Sequence, residues 1–187
     1  PEGLAREAPA LDGPPHPPRM DPPAPGPVDR SKRTAVLLTD EDMSPGFVLD
    51  AAPAPVATGV LSAATQGSPL HIAPHVSEFI DAGLEDVQSR YGERLGPVTG
   101  GLADADAIVA WARETGAAQI VTPYAPVGPT AAALTRARAE LEEHGIALVQ
   151  VLRGYDAEAW PHATAGFFKF KDKIPQLLGR LKGLRAA

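Results

Sequence analysis

Apolar positions along this chain fall into two alternating patterns. Short unbroken apolar runs bounded by polar residues predict buried strands, and apolar residues spaced three or four apart predict helices. "TAVLLT" at Thr34–Thr39 is the first run. "PVATGVLSA" at Pro55–Ala63 is a second strand, with Gly59 inside it. Val76, Phe79, Ile80, Leu84, Val87 and Tyr91 then recur at helical spacing between Pro74 and Gly92, with Gly83 weakening the helix slightly. "GPVTGG" holds a short strand at Val98 and Thr99. Leu102, Ala105, Ile108, Val109 and Ala112 form one face of a second helix that stops near Gly116.

The alternation continues. "AAQIVTPY" is a strand centred on Ile120 and Val121. Gly128 and Pro129 suit the cap and first turn of a third helix carrying Leu134, Ala137 and Leu141. "IALVQVL" at Ile146–Leu152 is the last strand. Apolar strands alternating with helices across short loops predict a doubly wound α/β domain over residues 34–152, with a mainly parallel, Rossmann-like sheet flanked by helices. Before it, residues 1–33 read as a linker. Ten prolines between Pro1 and Pro27 deny that stretch helix and sheet, and "PPHPP" also offers PxxP spacing. After it, "YDAEAWPHATAG" reads as irregular. An amphipathic helix resumes at Lys173 with Ile174, Leu177, Leu178, Leu181 and Leu184 on one stripe. Residues 153–187 are thus an exit segment ending in a basic helix.

Composition narrows the chemistry. The 187 residues carry a net charge of −6, so the chain is not a generally basic nucleic-acid binder. There is no cysteine, which excludes disulfides, thiolate metal sites and cysteine nucleophiles. No apolar run approaches the ~20 residues of a membrane span, and no charged-then-apolar signal pattern opens the chain. The expectation is a cytoplasmic protein with no membrane partner. A first residue of Pro1 rather than Met fits a fragment or a processed product.

Open parallel sheets bind ligands beyond the carboxyl ends of their strands. The first such end, Thr39-Asp40-Glu41-Asp42, is acidic: it repels phosphate and suits a cation, sugar hydroxyls or plain solvent. The second, Thr122 to Thr130, puts Pro123 and Tyr124 before the third helix, where free amides can receive an anion and Tyr124 can stack on a ring. Thr39, Asp40, Pro123 and Tyr124 are therefore the candidate cofactor-binding residues. The common phosphate fingerprints GxxxxGK[ST] and GxGxxG are absent, and so is the GxSxG nucleophile elbow. His71 and His75 have the spacing of a metal pair, but Pro74 between them breaks the helical geometry, and no metal site is expected. No catalytic constellation emerges.

The tail reverses the charge. From Gly166 onward six lysines and arginines face one acid, Asp172, leaving −11 on the rest of the chain. Phe167, Phe168 and Phe170 sit among those lysines. Such a composition suits packing onto the α/β domain with lysines in water, a single-strand binding surface, or a membrane-surface helix. Packing is the favoured reading, with Phe167, Phe168 and Phe170 anchoring the tail onto the α/β domain or a missing neighbour.

The order of elements resembles a known family. The run "HVSEFIDAGLEDVQSRYGERLGPVTGG", then "ADAIVAWARETGAAQIVTPYAP", then "ALTRARAELEEHGIALVQV" is similar to the α/β domain of photolyases and cryptochromes. Thr164-Ala165-Gly166 with aromatics after it looks like the segment that leaves that domain. "PEGLAREAPAL" before a proline-rich run is similar to the stretch after the flavin-binding part of some bacterial relatives, where the α/β domain comes second. The resemblance implies a parent related to deoxyribodipyrimidine photolyase, with FAD and any DNA contact in a helical domain absent from this chain. It implies an antenna chromophore of unspecified identity in some relatives, and an exposed apolar patch where the helical domain would pack. It carries no catalytic residue over, since the only tryptophans are Trp111 and Trp160. Two further readings stay open: an autonomous nucleotide-binding module of the universal-stress type, and a structural interaction domain without ligand.

Overall fold

The computed structural model describes residues 13–15, 26–63 and 72–184, and the side chains of these as far as residue 180. Most of the proline-rich linker lies outside the described residues, as do His16, His71 and the side chains of Leu181 and Leu184. The strands are β1 (Thr34–Thr39), β2 (Thr58–Leu61), β3 (Val98–Leu102), β4 (Gln119–Pro123) and β5 (Ala147–Val151). The helices are α1 (Gly46–Ala51), α2 (Pro74–Tyr91), α3 (Ala105–Thr115), α4 (Pro129–Glu143), α5 (Gly154–Ala159), α6 (Phe167–Lys171) and α7 (Ile174–Leu184).

These strands form one parallel sheet in the order β3-β2-β1-β4-β5. Every residue of β1 is buried. Alternation along the strands sends Ala35, Leu37, Ile120 and Leu148 to one face, against Ile108 and Trp111 of α3 and Leu134 and Leu141 of α4. The opposite face takes Val36, Leu38, Val121 and Val149, against Val48 and Leu49 of α1 and Val87 of α2. Helices cover both faces, so the domain is doubly wound as its sequence pattern predicts.

Four local features differ from the pattern. Leu102 does not open the second helix; it ends β3, and α3 begins after Asp104, whose carboxylate accepts from the Ala107 N–H at 3.0 Å. The acidic turn after β1 leads into α1, a six-residue helix too short to show periodicity in the sequence. The stretch read as irregular after β5 contains α5, against which α7 packs back; Leu177 is buried, and Arg180 lies 3.7 Å from Glu158. The apolar stripe of α2 is only half used: Leu84 and Val87 are buried, while Phe79 is 74% exposed.

Two glycines inside predicted elements permit close approach rather than flexibility. A β-carbon on Gly59 would meet Leu102 Cδ1 at 2.7 Å and the Trp111 ring at 3.0 Å. On Gly83 it would collide with the sulfur of Met43, so this glycine lets the loop after β1 lie against α2.

A polar clamp holds the amino end of the sheet. The carboxamide of Gln119, almost fully buried, accepts from Asp29 N–H at 3.2 Å and donates to Asp29 C=O and Thr34 Oγ1, each at 2.6 Å. Asp29 itself turns the chain: its Oδ1 accepts from the Ser31 hydroxyl and N–H, which hold its carboxyl below the usual range. Upstream, the Gly26 N–H donates to Gln150 C=O at 3.3 Å, laying the entering chain along the edge strand β5.

Gly59→Val is expected to lower stability by about 1–3 kcal/mol through overpacking against Trp111, seen as a reduced urea midpoint at unchanged slope. Gln119→Leu, of similar size, is expected to cost about 1–3 kcal/mol because it strands buried polar groups. Amide exchange at Asp29 should accelerate in that variant.

Candidate functional site

The order β3-β2-β1-β4-β5 reverses direction between β1 and β4. After β1 the chain winds outward through β2 and β3, then returns to the far side of β1. The loops leaving β1 and β4 therefore diverge and open a crevice at the carboxyl edge. The four residues singled out by sequence lie there: Thr39 ends β1 with Asp40 next after it, and Pro123 ends β4 with Tyr124 next after it. Thr39 and Pro123 are buried beneath the edge, while Asp40 and Tyr124 are partly exposed. The Asp40 N–H is bonded to Leu61 C=O at 3.2 Å, and the Tyr124 N–H to Val151 C=O at 2.8 Å. Both residues thus extend the strand ladders and are fixed in position.

Of these four, Tyr124 lines an open cleft of about 340 Å³. Its other walls come from residues that sequence reasoning did not assign to a site: Phe47 of α1, Arg153 after β5, Asp156 of α5 and Trp160 in the turn after α5. Asp42, from the acidic loop, completes it. The Tyr124 and Trp160 rings meet edge to face, 5.7 Å between centroids. Arg153 joins two loops: its Nη2 lies 2.7 Å from each Asp42 oxygen and 3.3 Å from Ser44 C=O. The same guanidinium lies 4.4 Å over the Phe47 ring. A partly buried, charge-assisted bridge between residues 111 apart ties the β1 loop to the β5 loop and sets the width of the cleft.

The amino end of α4 lies at the same edge. The Gly128 N-cap carries no side-chain cap, which would leave its first amides open to an anion. Glu41 lies close by: a β-carbon on Gly128 would lie 3.4 Å from Glu41 Oε1. The acidic loop after β1 thus turns one of its carboxylates towards the helix start. The hydroxyls of Thr122 and Thr130 are buried at this edge with no partner among the described residues. No group of three or more histidines and carboxylates able to hold a metal occurs among the described residues. His75 and His144 are exposed, and the histidine pair cannot be traced because His71 lies outside the described residues.

The tail is arranged differently from the packing expected for it. Phe167 is 64% exposed and Phe168 81%, their rings edge to face at 5.7 Å. Phe170 is half-buried, so the segment anchors through that ring and Leu177 while the phenylalanine pair faces outward. Lys169, Lys171 and Lys173 form no ion pair among the described residues. No helix among the described residues is long and apolar enough to cross a membrane.

No protein-family model matches this chain, and comparison with curated proteins and with solved structures finds no match.

Breaking the bridge across the cleft should be measurable. Asp42→Asn is expected to cost about 1–2 kcal/mol, less than a fully buried charged pair because both side chains remain partly hydrated. A double-mutant cycle with Arg153→Gln should return a coupling of at least about 0.5 kcal/mol.

Proposed function

We propose that this chain is the α/β domain of a photolyase- or cryptochrome-like flavoprotein. In this reading it packs against a helical FAD-binding domain, and the parent acts in light-dependent DNA repair or light sensing. The observation that carries the proposal is the exposed Phe167–Phe168 pair on the segment that leaves the sheet, set among three lysines without ion-pair partners among the described residues. Aromatic side chains bury large areas at interfaces, and leaving two adjacent ones in water is unfavourable. A neighbouring domain with an apolar, acidic-rimmed groove would relieve that cost. The doubly wound sheet agrees with the resemblance in element order, and the domain's role here is docking, with FAD held mainly outside it.

The acidic crevice weighs against the universal-stress alternative. A nucleotide phosphate at the start of α4 would meet the Glu41 carboxylate. Calorimetry with ATP and AMP should show no binding at millimolar ligand; clear heat would favour that alternative.

The direct test uses the longest polypeptide encoded by the reading frame containing this chain. It should include a helical domain, absorb in the blue as a flavin does, and release FAD on denaturation. Phe167→Ala combined with Phe168→Ala should loosen the two domains, seen as faster proteolysis between them and weaker FAD retention. A full-length product with no helical domain and no flavin would overturn the proposal.

A further inference from the structure

We propose that the cleft between the loops after β1, β4 and β5 binds a small organic cation of the alkylammonium or guanidinium class. This stands apart from the docking role of the tail and uses different residues. The cleft's volume of about 340 Å³ suits a small molecule. Its charge favours a cation. Asp42 and Arg153 neutralise one another at 2.7 Å, whereas the Asp156 carboxylate has no hydrogen bond or ion pair among the described residues. The lining is left with one uncompensated negative charge.

Its aromatic content favours the same ligand. Ring faces attract cations through their negative quadrupole, with tryptophan the strongest. Trp160, 38% exposed, and Tyr124 stand side by side on the wall that also carries Asp156. The opposite wall already contains the same interaction internally, a guanidinium over Phe47 backed by the Asp42 carboxylate. A second cation between Asp156 and Trp160 would repeat that arrangement.

Glu41 at the start of α4 disfavours the usual ligand of such a crevice. Doubly wound domains commonly seat an anion on a helix start, but here Glu41 lies beside the start of α4. The chain before Gly166 has a net charge of −11, which draws cations towards the body and repels phosphates.

The test titrates the full chain with choline, with its uncharged carbon isostere 3,3-dimethylbutan-1-ol, and with AMP, following tryptophan fluorescence and heat. Trp111 is buried beneath β2 and serves as an internal reference, so a change in emission reports on Trp160. Choline should bind with a dissociation constant in the millimolar range, and the isostere about 3- to 30-fold more weakly. Trp160→Leu should weaken choline by a similar factor. Asp156→Asn, nearly the same shape, should weaken choline several-fold and leave the isostere unchanged, with the thermal midpoint of both variants confirming that they fold. Equal binding of choline and its isostere would overturn the proposal. So would tighter binding of AMP, or no response to choline at concentrations on the order of 50 mM.

Discussion

Burial of β1 on every side is the constraint from which the rest of the molecule derives. It is flanked by β2 and β4, and its alternating side chains enter two separate cores. A strand in that position can carry no exposed polar group along its length. Its sequence therefore stays apolar between Thr34 and Thr39, and exposure begins only in the acidic loop that follows. The return of the chain to place β4 beside β1 then opens a crevice at the end of that same strand. Core and crevice are two results of one arrangement.

On the β1 side of the crevice the charges differ from those of a typical phosphate site. Phosphate sites need open amides, glycines that allow close approach, and positive charge. Here the loop after β1 contributes carboxylates: Asp42 is spent on Arg153, and Glu41 stands beside the start of α4. Arg153, which brings a guanidinium to the cleft lining, is occupied by Asp42 and Phe47. Geometry shared by many domains thus carries electrostatics of the opposite sign.

The regular parts of the fold were legible because each is long enough to show its period. β1 matches its apolar run residue for residue, and α4 starts at the proline that marks it. The misses share a cause. α1 spans fewer than two turns, and α5 ends where Trp160 and Pro161 tighten the chain, so neither repeats a pattern often enough to register. Leu102 has helical spacing from Ala105 by coincidence of a short connection; Asp104, an N-cap residue, marked the true start. At the site, Thr39, Asp40, Pro123 and Tyr124 are placed by strand ends alone. Phe47, Arg153 and Trp160 are not, because their meeting depends on how three loops from distant parts of the chain converge. Of the two anchoring surfaces open to the phenylalanines, the α/β domain is not the one Phe167 and Phe168 meet, because composition shows that a segment is sticky but not which way it faces.

The clamp at Gln119 also has a mechanical consequence. Asp29 is fastened to the start of β4, and Gly26 lies against β5, so a pull on the chain upstream is received by three strands rather than one. Because β1 runs parallel to its neighbours, tension reaching Thr34 loads rows of ladder hydrogen bonds together, in shear, instead of peeling them one at a time. The load enters at the amino edge of the sheet, while the cleft lies at the opposite edge, across the full length of the strands. A tether attached at this end can be tugged by whatever it joins without prying the loops of the cleft apart.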